Sequence, residues 1–122
     1  MSDEEFEELV REALELLPEQ LRAVFDQQCV VVVREWADDE TLRELGAVDR
    51  EETPYGLYSG IPYGERGPAA GLPDLIIIYR GPLLADIDNR DELVEEIRIT
   101  VLHELGHALG FDEEDLEERG LG

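Results

Sequence analysis

The sequence predicts a single α/β domain of the α+β type, a small mixed twisted sheet packed against helices, with its chemistry on a helix near the C-terminus. Three observations carry this. Apolar residues recur at three- and four-residue steps near the N-terminus and again over 90–109, and two short β-branched runs lie between these segments. A length of 122 residues fits one domain spanning 1–122. With 43% hydrophobic residues the chain can bury a real but small core.

The elements come in order along the chain. Residues 3–17 place Phe6, Leu9, Val10, Ala13, Leu14 and Leu17 on one helical stripe opposite a solvated acidic face. Pro18 suits the first turn of a second helix, whose stripe of Leu21, Val24 and Phe25 runs to Gln27. Cys29-Val30-Val31-Val32-Val33 reads as a buried strand within 29–34. Asp38 or Asp39 is expected to cap a short helix through Leu45, with Gly46 at its stop. Residues 47–74 are rich in Gly, Pro and Tyr. They read as a long loop interrupted by a short strand around Leu57-Tyr58-Ser59, and long loops in small domains are usually functional. Leu75-Ile76-Ile77-Ile78-Tyr79 marks a second strand, ended by Gly81-Pro82. Asp88 or Asn89 caps the next helix, Arg90 to Leu109, and Gly110 closes it. A last short helix is expected over 113–119, and no internal repeat is visible.

Composition removes several function classes. Ten basic residues against thirty-two acidic ones leave a net charge of −22. Nucleic acid is not expected as a partner, because phosphates need Lys or Arg to neutralise them. An anionic membrane surface is disfavoured for the same reason. All ten basic residues are Arg, so lysine Schiff-base chemistry is impossible. The one cysteine, Cys29, allows neither an internal disulfide nor a thiolate cluster, and its apolar neighbours suit an inert buried thiol. The start Met1-Ser2-Asp3-Glu4-Glu5 lacks the basic and apolar segments of a signal peptide, so a cytoplasmic protein is expected; a monomer is the expected state. Asp86-Ile87-Asp88-Asn89-Arg90-Asp91 opens like a calcium loop, but Arg90 takes a ligand slot and the required Gly is missing. Ser2 and Ser59 lie in no nucleophile elbow.

The decisive stretch is His103-Glu104-Leu105-Gly106-His107, followed by Gly110 and the acids Asp112 and Glu113. At about 100° per residue, positions four apart lie about 40° apart on a helix, so both imidazoles can reach one Zn²⁺. Glu104 can then accept a proton from the attacking water and deliver it to the leaving amine. On the helical wheel, Val94, Ile97, Val101, Leu105 and Ala108 share a core-facing sector. His103, Glu104 and His107 share an adjacent one with Glu96 and Thr100, which are candidates to support an imidazole. A catalytic zinc needs a third protein ligand. Gly110 permits a turn back toward the metal, and Glu113 is the first choice, with Asp112, Glu114 and Asp115 chemically equivalent neighbours. The bland readings are a pair of half-buried core histidines and a solvated acidic run. With two His and twenty-one Glu, such a motif arises by chance in about one of 200 chains of this composition.

The segment His103–Glu113 resembles the extended zincin pattern H-E-x-x-H-x-x-G-x-x-(H/D). Together with Tyr79-Arg80-Gly81-Pro82-Leu83-Leu84, the helix Val94–Glu104, the Gly60-Ile61-Pro62 loop and the N-terminal helix, it is similar to a family of very small bacterial zinc metallopeptidases, the minimal zincins. The resemblance implies a compact zincin core with zinc on the motif helix, Glu104 as general base, and a peptide substrate extended along a strand edge. That family usually carries Asp at the third-ligand position; Glu113 stands there here, which keeps Asp112 in competition. Nine residues follow Glu113 and the only methionine is Met1, so neither a Met-turn nor a lower subdomain is expected. Tyr55, Tyr58, Tyr63, Tyr79 and Arg66 are candidate oxyanion donors. The expected function is zinc-dependent peptide hydrolysis, with basic or neutral peptides preferred. A non-catalytic zinc-binding or protein-interaction domain is the competing reading, and hydrolysis of a non-peptide bond is a third.

Overall fold

The structure, a computed structural model, describes residues 1–59 and 74–108. Helix α1 (Asp3–Glu15) starts at Ser2, whose side chain accepts from the Glu5 N–H. It buries Phe6, Leu9, Val10 and Ala13, the stripe the sequence predicts, but ends two residues before Leu17. Helix α2 (Glu19–Gln28) begins after Pro18, which serves as its N-cap rather than as its first-turn residue. Strand β1 (Cys29–Arg34) comes directly after it. Helix α3 (Asp39–Glu44) is capped by Asp38, whose Oδ1 accepts from the Thr41 N–H at 2.8 Å. Gly46 then takes φ of 75° and closes it in a Schellman turn, with the Ala47 N–H on the Leu42 carbonyl and the Gly46 N–H on that of Arg43.

The region expected to be loop contains a 3-10 turn, Arg50–Glu52, held by a capping box between Asp49 and Glu52. Strand β2 (Gly56–Ser59) then pairs antiparallel with β3 (Asp74–Tyr79), Tyr58 opposite Ile76. On its other side β3 pairs in parallel with β1, Val31 opposite Ile76. The order β1-β3-β2 is the predicted mixed sheet, with the most buried strand at its centre.

Gly81-Pro82 ends β3 as expected, but the same residues open a helix that the sequence pattern does not predict, α4 (Arg80–Asp86). Proline is harmless in a first turn, where its missing N–H would have no partner within the helix. The Gly81 N–H is satisfied instead by the Glu35 carbonyl at 2.7 Å. Gly81 is also required by space, since a Cβ there would lie 2.3 Å from the Trp36 ring.

Helix α5 (Arg90–Ala108) carries the motif and lies against α1, β2 and β3. One core, formed by Phe6, Leu9, Ile76, Ile78, Leu93, Ile97, Val101 and Leu105 among others, fills the space between these helices and one sheet face. Ala37, Leu42 and Tyr79 form a smaller cluster, with Ile77 and Leu57 packed against it. The two clusters divide the residues of β3 alternately, as the pleat requires. The remainder of the predicted loop, 60–73, the end of the motif helix at Leu109-Gly110 and the last predicted helix, 113–119, lie outside the described residues.

Candidate metal centre

Helix α5 is built to hold its polar face still. Asn89 accepts from the Glu92 N–H at 3.0 Å, which caps the helix at the second of the two predicted residues. Asp91 and Glu92 complement the positive end of the helix dipole in the first turn. Along the length, Leu93, Val94, Ile97, Val101 and Leu105 are all 5% exposed or less, so the helix is fixed in rotation about its own axis. That rotation decides where the motif side chains point.

His103 and His107 sit one turn apart and are both half-buried. Their ring centroids are 5.0 Å apart with the planes at 77°, edge toward face. Glu104 is only 9% exposed and projects beside them, its Oε2 4.0 Å from His103 Nε2. One donor atom from each of His103, Glu104 and His107 lies within 4.8 Å of the others. Two imidazoles converging over that span suit two of the ligand positions of a zinc ion, with the Glu104 carboxylate beside them. The residues present fit the metal.

The other oxygen of Glu104 has a partner that the sequence pattern does not reveal. Oε1 accepts the main-chain N–H of Tyr58, on β2, at 2.8 Å. The strand can approach α5 this closely because of Gly56, two residues earlier on the same face. A Cβ built on Gly56 would stand 2.4 Å from the Thr100 methyl. The one available hint was the glycine just before the short strand expected around Leu57-Tyr58-Ser59, since a strand glycine often marks a close backbone approach. A main-chain donor leaves no mark in side-chain chemistry.

The other candidates separate. Thr100, 8% exposed, turns its methyl to Gly56 and fixes the strand–helix distance. Glu96 contributes to the field around Tyr55. The Tyr55 hydroxyl donates to Asp86 Oδ2 at 2.6 Å. That hydrogen bond, then burial, then the charges of Asp86 and Glu96 push its pKa up to about 12. The Tyr55 hydroxyl proton is therefore engaged by Asp86, which corrects its candidacy as an oxyanion donor. Tyr79 is corrected likewise: it is 3% exposed in the smaller cluster, apart from the core that α5 faces, and burial raises its pKa. Tyr58 packs its side chain against the main core and enters the site through its backbone. Tyr63, Arg66, Glu113 and its neighbours Asp112, Glu114 and Asp115 lie outside the described residues.

Comparison with known protein families gives a match for this chain. The model described as zincin-like metallopeptidase matches residues 27–122 of the 122. Comparison with curated proteins returns no match.

Proposed function

This chain belongs to the zincin-like metallopeptidase family, and from that premise we propose that it is a zinc-dependent peptidase formed by one domain over residues 1–122. The observation that carries the reading is the convergence of His103, Glu104 and His107 within 4.8 Å on a helix whose rotation the core fixes. His103 and His107 would hold Zn²⁺ as neutral imidazoles, with Glu113 as third ligand. Bound there, Zn²⁺ supplies Lewis acidity, lowering the pKa of water and polarising the scissile carbonyl.

The chain's own groups do the rest. Glu104 takes the proton of the attacking water on its carboxylate and returns it to the leaving amine, which departs neutral. Its burial beside the histidines keeps competing water away and strengthens the interaction with charge that develops in the reaction. Peptides are the substrates, and a chain carrying −22 favours basic or neutral ones. Among the described residues, no helix is long and apolar enough to cross a membrane. A cytoplasmic monomer remains part of the proposal.

The test pairs zinc content with hydrolysis. Glu104→Ala should keep zinc and lose cleavage of peptides that the parent chain cleaves, and chelation should silence the parent. Undiminished cleavage by Glu104→Ala overturns the mechanism. Bound zinc with no cleavage by the parent, across peptide and non-peptide panels, would instead favour a non-catalytic zinc-binding domain.

A further inference from the structure

We propose that the main-chain N–H of Tyr58 is the positioning group for Glu104, holding one carboxylate oxygen so that the other stays turned toward the imidazole pair. The consequence for turnover rests on the peptidase reading above; the structural lock does not.

The direction of that N–H comes from strand parity. The Tyr79 N–H donates to the Tyr55 carbonyl at 2.8 Å, so the main-chain groups of Tyr55, Leu57 and Ser59 face β3. Those of Gly56 and Tyr58 face the outer edge of the sheet. There the Tyr58 N–H meets Glu104 Oε1 at 2.8 Å, while Oε2 lies 4.0 Å from His103 Nε2. The two oxygens thus have separate surroundings, one on the strand and one at the histidines.

A glutamate side chain has three rotatable torsions, and the cost of freezing them falls on the step that needs them frozen. A side-chain donor could swing away with its acceptor. A strand amide cannot, because β2 is paired to β3 over four residues and set against α5 by the Gly56–Thr100 contact. Tyr58 acts through Glu104 and touches no reacting atom. The arrangement therefore contributes to the rate by holding the base in register rather than by binding substrate.

Two measurements on the full chain test this, the first in both metal-free and zinc-loaded protein and the second in zinc-loaded protein. The first is amide hydrogen exchange. Tyr58 should be protected in both forms, and Glu104→Ala should speed its exchange by about tenfold or more while Ile76 and Ile78, in the central strand, stay unchanged. The second compares Tyr58→Pro with Tyr58→Ala, using a quenched-fluorescent library of neutral and arginine-containing peptides. Both lose the ring, and only proline loses the N–H, at an edge position where a strand tolerates it. The proline variant should fall about tenfold or more below the alanine variant in kcat, with KM and bound zinc equal between them. An ester in place of the Tyr58 amide, made by semisynthesis, answers the same question should the proline variant not fold. Exchange at Tyr58 that is as fast in the parent as in Glu104→Ala overturns the lock. Equal kcat for the proline and alanine variants, or for ester and amide, overturns its role in turnover. A parent chain that cleaves no peptide removes the peptidase reading alone, and exchange then decides the lock.

Discussion

Glu104 is the residue on which the chemistry turns, and its two oxygens can be separated by substitution. Glu104→Gln keeps the shape and the acceptor for the Tyr58 N–H but cannot take a proton at neutral pH. It should bind zinc as the parent does and hydrolyse peptides about 10²–10⁴-fold more slowly, read from initial rates at matched zinc content. His103→Ala and His107→Ala should each lose the metal itself, measured by competition with a chromogenic chelator. Tyr55 offers a pH signature away from the centre. Its pKa in the folded chain, about 12, lies above the ordinary value of 10.0 because Asp86 accepts from its hydroxyl. The raised folded value means that the contact stabilises the fold fully below the unfolded pKa and loses that effect as pH rises through 12. Tyr55→Phe should remove a step near pH 12 from the tyrosinate absorbance titration and lower stability at neutral pH, with zinc binding unchanged. Loss of a step near the ordinary value of 10.0 instead would show that the Tyr55–Asp86 bond does not form.

At the scale of elements, the close approach of β2 to α5 sets the site's dimensions. Gly56→Ala forces a methyl within 2.4 Å of Thr100 Cγ2 and 3.2 Å of the Ile77 carbonyl. Overpacking of this kind costs about 1–3 kcal/mol, so the midpoint of denaturant unfolding should fall. The double variant Gly56→Ala, Thr100→Ser removes the opposing methyl and should recover most of the loss. The motif itself was legible because its four-residue spacing coincides with the helical turn, and the apolar residues of α5 mark which side faces the core. Strands β1 and β3 were legible as runs of Val and Ile. Helix α4 was not, because Gly81-Pro82 signals only that a strand must stop. The helical path beyond that stop is set by the Glu35 carbonyl and the Trp36 ring, contacts from elsewhere in the chain. The Tyr58 amide was invisible for a similar reason: every residue type but proline has that donor, and only tertiary packing brings it to Glu104.

For the molecule as a whole, the core and the charge pull in opposite directions. The family match begins at residue 27, yet Phe6, Leu9, Val10 and Ala13 of α1 are buried in the same core as Ile97 and Val101 of α5. Removing residues 1–17 should therefore abolish cooperative unfolding, and with it zinc binding. Against that core stands a net charge of −22, whose self-repulsion destabilises the compact state. Added salt should raise the melting temperature, most steeply below about 0.1 M, where the Debye length exceeds about 10 Å. The preference for arginine-containing peptides should shrink over the same range. The charge and its bearing on partners were plain in composition, whereas α1's part in the core depended on which helix its stripe meets.

Whether His103 and His107 grip one zinc ion is read most directly from a zinc-edge anomalous map of the metal-loaded protein, with stoichiometry from elemental analysis. The expected result is one Zn²⁺ per chain, with nitrogen atoms of both His103 and His107 at about 2.0–2.1 Å. A chain that takes up no zinc, or that holds it away from these two rings, would contradict the metal centre and the peptidase reading built on it.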